Sequence, residues 1–378
     1  MDETSAGVVR PYEPSLDGLR ALSGIAIFGV HLEQTVSVRL QIGPFRLEQV
    51  LQNGRLGVAM FLLLSGYCLA LPLWVAAADG RLSTAIDGFL TRRFARIVPL
   101  YWVVLAAMWL GHLFRDAEAA WQWWAHFAFV HNLWPESLYS ISEPFWAIAL
   151  IVQYYLFWYC LLCVLRLLRC DSDRSLMLAF GGLSISAWSL AAILELTNGD
   201  FSNGDASVWR HGLPIHLPIF LTGAMTGWLT HRSRNRIPGW LSETAVMLGV
   251  LVLFFAMAYA PVGFGLPASR YAFPLVPALF AAIVYLAIRS HRINRALSGR
   301  WLVFGGKISY AFYLVHFPVI RLTRRGLREI GITPSSLVLA IVSFTLACLV
   351  AWTLTRVIEQ PIRHFLTGRA RGADVSRS

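Results

Sequence analysis

Arg20 follows Leu16-Asp17-Gly18-Leu19 at the head of the first apolar stretch, and His31 lies eleven residues further on. In a helix, eleven steps of ~1.5 Å put His31 about 16 Å deeper than Arg20, near the middle of a ~30 Å hydrocarbon slab. An imidazole at that depth is costly without a partner or a watery cavity, and such residues mark functional sites. Its ordinary pKa of about 6.5 suits it to accepting a proton from a hydroxyl. Packing alone, with the ring bonded to a neighbouring helix, is the competing explanation. Arg93 and Arg96 stand at i and i+3, so one helix face can offer two guanidiniums to a phosphate. Basic residues beside a span also serve simply to orient it. Arg20 suits either phosphate anchoring or snorkelling to lipid headgroups.

These groups need a scaffold, and composition defines its class. Of 378 residues, 57% are hydrophobic and 14% charged, against roughly 45–50% and 25% in soluble domains. Apolar segments fall at about 20–40, 56–78, 98–114, 145–166, 176–196, 213–230, 242–260, 271–288, 305–322 and 336–356. The expected fold is all-α: a polytopic integral membrane helical bundle of about ten transmembrane helices. Its membrane domain runs from 16 to 363, between cytoplasmic tails at 1–15 and 364–378. Ten spans of ~20 residues leave only short loops, so soluble P-loop, Rossmann and hydrolase architectures are excluded. Any chemistry must come from span and loop side chains. The stretch 119–134, with Trp121, Trp123, Trp124, His126 and His131, reads as an interfacial or re-entrant helix. Its tryptophans suit an interface belt first and a sugar-stacking platform second.

The net charge of +11 reflects topology rather than nucleic acid. With both termini in the cytoplasm, inner segments hold 22 basic residues and outer segments 10, as the positive-inside rule requires. Four arginines in an outer loop, Arg321 to Arg328, run against it; either the loop binds something anionic or an adjacent span is misassigned. Cys68, Cys160, Cys163, Cys170 and Cys348 sit in or beside apolar runs, which gives no disulfide framework. The spacing of Cys160 and Cys163 lacks a second ligand pair, so no metal is expected.

Several further pieces stand in a fixed order: Arg20-x10-His31; Gly57-Val58-Ala59-Met60-Phe61 with Ser65-Gly66-Tyr67; Arg93-Phe94-Ala95-Arg96; Trp146 through Gln153-Tyr154-Tyr155. Gly306-Lys307-Ile308-Ser309-Tyr310 with Tyr313-Leu314-Val315-His316, and Glu359-Gln360-Pro361, complete the set. The series resembles the membrane-bound acyltransferase-3 family over about residues 16–363. That resemblance implies an O-acyltransferase of the cell envelope, set in a bacterial inner membrane among its lipids. It would move an acetyl or other short acyl group from acyl-CoA to a hydroxyl of a carbohydrate or hydroxylated metabolite. His31 and Arg20 would be catalytic, with His31 as base, and Arg93 and Arg96 would bind the acyl-CoA phosphates. A transporter or flippase using a degenerate cavity is the alternative.

The family's acidic position in the Trp146 segment is Ile151 here, and its second-helix aspartate is Ala59. His31 would have to manage without an assisting carboxylate or recruit another, with Glu33 and Glu143 as candidates. Glu33, two residues from His31, falls on roughly the opposite helix face. His316 is a second imidazole inside a span, structural or acceptor-facing. Tyr154, Tyr155, Ser309 and Tyr310 could donate hydroxyl hydrogen bonds, and Glu359 is expected to pair with a cytoplasmic arginine.

Overall fold

A computed structural model describes residues 12–38, 41–42, 45–78, 88–110, 120–170, 172–198, 208–233 and 275–366, with positions 244 and 248–249. The helices are α1 (Pro14–Val36), α2 (Leu47–Asn53), α3 (Leu56–Ala78), α4 (Phe89–Leu110), α5 (Ala120–Phe127), α6 (Pro135–Leu138) and α7 (Trp146–Leu167). Then follow α8 (Asp173–Asn198), α9 (Leu213–Arg232), α10 (Leu275–Arg289), α11 (His291–Leu297), α12 (Arg300–Glu329) and α13 (Ser336–Leu354), the last continued by a π-helical turn at Thr355–Glu359. A single two-stranded antiparallel ladder, Gln41–Ile42 with Phe45–Arg46, is the only sheet among the described residues.

Six of the described helical stretches are long and apolar enough to cross a membrane, or seven if α10 and α11, bent by 95°, count as one span. The expected ten are therefore not all visible as uniformly apolar helices. α1, at 23 residues, has the length to span but carries Asp17, Arg20, His31 and Glu33. α9 is diluted by prolines, threonines and two histidines. Both depart from apolarity where the site is built. Apart from positions 244 and 248–249, the expected span at 242–260 lies outside the described residues, as do the tails before 12 and after 366. α5, eight residues long, is too short to cross, in keeping with its reading as interfacial.

The first correction concerns Arg321 to Arg328. They form no loop: α12 runs unbroken for 30 residues, about 45 Å at 1.5 Å per residue, and so outreaches a ~30 Å core by several turns. Arginine is a good helix former, and Arg325 pairs with Glu329 one turn on at 2.8 Å.

Two contacts decide how the site is held. α3 and α9 make the most extensive helix contact in the chain, and small residues permit it: a Cβ on Gly66 would stand 1.9 Å from the Phe220 carbonyl oxygen, and one on Gly223 2.0 Å from that of Leu63. Close backbone approach of this kind is how membrane helices associate without a hydrophobic driving force. α1 packs next most extensively on α12, which brings His31 beside His316. The continuous core includes Trp74, Trp158, Tyr101 and Phe220, each fully buried. Many large apolar side chains on α8 and α13 face outward, such as Leu178, Ile185, Leu337 and Ile341, as lipid-facing surfaces must.

Candidate active site

Three of the expected site residues converge. Arg20 from α1 and Arg93 and Arg96 from α4 line one cavity, with Ser65 and Cys68 of α3, Ile151 and Tyr155 of α7, and Ser309 and Tyr310 of α12. Arg20 is fixed by Asp17 at 2.6 Å, and Asp17 also accepts from the Tyr12 hydroxyl at 2.5 Å. Burial, reinforced by that bond, pushes the Tyr12 phenol up to about 12. A second Arg20 nitrogen donates to Cys68 Sγ at 3.2 Å, while Arg93 reaches the Cys68 carbonyl at 3.4 Å. Cys68 thus joins two arginines that are distant in sequence. Its motif position beside Ser65-Gly66-Tyr67 was the only hint of this.

His31 lies elsewhere. It lines a second cavity of about 1200 Å³ with Glu33, Gln34, Arg55, Tyr139, Glu143, Trp146, His211 and His216. Val58 and Tyr313 line both cavities, so one thin layer of side chains separates the arginines from the histidine. Tyr313 is pinned there by donating to the Pro144 carbonyl at 2.7 Å. Along α1, Arg20 and His31 mark opposite ends of the paired site.

The carboxylate that serves His31 is Glu143, reached through Gln34. His31 Nδ1 stands 2.7 Å from Gln34 Oε1, and Gln34 Nε2 donates to Glu143 Oε1 at 3.1 Å. An ionised carboxylate only accepts, so the amide nitrogen must face Glu143 and the amide oxygen must face the ring. His31 Nδ1 therefore carries the proton, and Nε2 keeps its lone pair. Glu33 lines the cavity, and its side chain makes no hydrogen bond or ion pair among the described residues. Ile151 borders the arginine cavity and not that of His31, so an apolar residue here keeps negative charge away from three guanidiniums. Ala59 is buried in the core.

His316 is fully buried, its ring 5.1 Å from that of His31. Its Nδ1–H donates to the Tyr313 carbonyl at 2.7 Å, and Nε2 has no partner among the described residues. The hydroxyl of Tyr310 is spent on the Ile97 carbonyl at 2.6 Å, while Tyr154 stacks on Phe220 at 4.3 Å away from either cavity. Tyr155 and Ser309 remain on the arginine cavity wall. Glu359 forms no ion pair within 4 Å among the described residues; it accepts from Thr355 at 3.4 Å, with Arg96 and Arg363 as its nearest cationic influences. On the His31 cavity, Trp146 stacks on His216 at 5.4 Å and meets His211 edge-on at 4.5 Å. Tyr139 bonds His211 at 2.9 Å. Trp124 is 72% exposed and Trp121 44%, as an interface belt requires. No group of three metal-ligating side chains occurs among the described residues.

A multi-helix membrane bundle with a buried histidine beside an arginine-lined cavity defines an acyltransferase of the membrane class: the chain belongs to the acyltransferase domain family, which it matches over residues 13–356. Among its relatives is the peptidoglycan O-acetyltransferase OatA of Listeria monocytogenes serovar 1/2a, 26% identical over 94% of this chain and 56% of the relative. Another is the acyltransferase MdmB of Streptomyces mycarofaciens, 26% identical over 95% of this chain and 93% of the relative. The chain spans about half the length of OatA and of several other curated relatives. No solved structure matches it.

Proposed function

We propose that this acyltransferase moves a short acyl group, acetyl or similar, from acyl-CoA to a hydroxyl of a carbohydrate or hydroxylated metabolite, within a bacterial inner membrane. The observation that carries the reading is the pair of adjoining cavities. One presents three guanidiniums, a set whose planar forks match phosphate oxygens. The other presents a histidine with its basic nitrogen free and a mixed polar and aromatic wall suited to a sugar. Ten spans with both termini in the cytoplasm would place the arginines on the cytoplasmic side and the His31 cavity toward the outside.

In this mechanism the donor phosphates rest on Arg93, Arg96 and Arg20, and the acyl-bearing arm passes the Val58–Tyr313 layer. His31 Nε2 takes the proton of the acceptor hydroxyl as its oxygen attacks the thioester carbonyl. The C–O bond forms, the C–S bond breaks, and the imidazolium returns the proton to the departing thiolate. Ester and free CoA leave. The Gln34–Glu143 chain holds the ring in the tautomer this requires and favours the transient imidazolium.

The test is acceptor-dependent release of CoA thiol by purified protein in proteoliposomes, supplied with acetyl-CoA and a panel of oligosaccharides. His31→Ala should abolish it with the fold intact. Release at the wild-type rate in that variant would overturn the mechanism.

A further inference from the structure

We infer that the arginine stripe at the end of α12 is the anion-holding part of the acceptor site, so that the preferred acceptor is a glycan carrying carboxylate or phosphate groups. The inference rests on the acyl-transfer reading and narrows its substrate class.

Arg321, Arg324, Arg325 and Arg328 fall at i, i+3, i+4 and i+7, a spacing that puts all four on one helix face. They border a groove of about 1280 Å³ closed by Gln34, Thr35, Glu143 and Phe317. Gln34 and Glu143 also wall the His31 cavity, so groove and cavity are continuous neighbours. Glu143 and Glu329 are the only acidic residues on the groove wall, which leaves a net charge of +2. Arg325 engages Glu329 at 2.8 Å, and Glu143 is held by Gln34. Arg321 lies over the Phe317 ring, 5.6 Å from its centroid. Arg324 and Arg328 form no ion pair among the described residues.

Like charges one turn apart destabilise a helix, so this stripe is a standing cost that an anionic ligand would relieve. Membrane orientation does not explain it, because the stripe sits at the end of the bundle away from Arg20. Arg324 is eight residues from His316, about 12 Å along the axis, and the His316 ring is 5.1 Å from that of His31. An anion on Arg324 and Arg328 would therefore lie within a short oligosaccharide's reach of the hydroxyl being acylated. A lipid phosphate offers the same chemistry, and the experiment separates the two sources.

The probes are fluorescent tetragalacturonate and its fully methyl-esterified, neutral counterpart, titrated against the protein in nanodiscs of phosphatidylcholine or of phosphatidylglycerol. The carboxylated probe should bind at least ten-fold more tightly than the ester in phosphatidylcholine. The Arg324→Gln/Arg328→Gln variant should lose that preference while still binding the ester as the wild type does. His31→Ala should keep it, so binding survives even if the catalytic reading fails. Equal affinity for the two probes, or a preference unchanged in the double variant, overturns the proposal. Loss of the preference in phosphatidylglycerol alone, unrelieved by excess probe, assigns the stripe to lipid headgroups and also overturns it.

Discussion

The Nδ1 of His31 stands 2.7 Å from the Oε1 of Gln34, and that contact makes the distant Glu143 a determinant of the ring's tautomer. The carboxylate of Glu143 accepts from the same amide, so the amide is oriented from its far end. Glu143→Gln removes the constraint and the charge. Its kcat should fall about ten- to hundred-fold, as when groups that orient a histidine are lost, with KM for either substrate nearly unchanged. Steady-state kinetics on the purified variant checks this. Wild-type kcat would remove Glu143 from the mechanism.

Arg93→Gln and Arg96→Gln each delete one guanidinium from the cavity proposed to hold the donor. A hydrogen bond to a charged group contributes about 1.5–3 kcal/mol, so each should weaken CoA binding by about ten- to hundred-fold. Calorimetric titration with CoA measures it. Pantetheine, which has no phosphates, should bind wild type and variants alike.

Cys68 lies on the wall of the donor cavity between Arg20 and Arg93. In a background with Cys160, Cys163, Cys170 and Cys348 replaced by serine, maleimide should label Cys68, and saturating CoA should slow labelling several-fold. Labelling that ignores CoA would place the donor elsewhere.

Gly66 has no room for a side chain against the Phe220 carbonyl. Gly66→Val forces α3 and α9 apart at their crossing, and overpacking of this kind costs about 1–3 kcal/mol. A lower Tm in detergent is expected, with CoA binding weakened in parallel because Ser65 and Cys68 ride on α3. An unchanged Tm would mean the helices separate freely.

His126 and His131 stack face to face, centroids 3.8 Å apart, in the short segment around α5. Burial pushes His126 down to about 4 and holds His131 well below its ordinary value. Both are neutral in the fold, whereas the unfolded chain binds protons below about pH 6.5. Stability is therefore full above pH 7 and declines as pH falls from about 6.5 toward 4. The 2.5-unit gap for His126 corresponds to a loss of about 3 kcal/mol at most. Tm measured from pH 8 to 5 should drop in the wild type and drop less in His126→Phe.

Much of this was legible in the residues. The Arg20 to His31 spacing gave their separation along α1, and Arg93 with Arg96 fell together as their i, i+3 spacing required. Nine of the ten apolar segments correspond to described helices. The division of these residues between two cavities is not readable in the sequence, because spacing along α1 gives depth but not which side chains of α3 or α12 lie between. Gln34, at i+3 from His31, was accessible by helical spacing, but its link to Glu143 joins residues 109 apart and exists only after α7 packs near α1. The arginines at 321–328 were misplaced in a loop because charge density was taken to end the span, whereas arginine prolongs a helix past the bilayer.

The layer formed by Val58 and Tyr313 carries an electrical consequence. Where two polar cavities enter a membrane from opposite ends, most of the transmembrane voltage falls across the thin dry partition between them. An elementary charge crossing 100 mV changes energy by about 2.3 kcal/mol. In the proposed reaction the hydroxyl proton departs on the thiol in exchange for the acyl group, so donor and acceptor each keep their charge and no net charge crosses that partition. The equilibrium of acyl transfer by this protein would then be independent of membrane voltage.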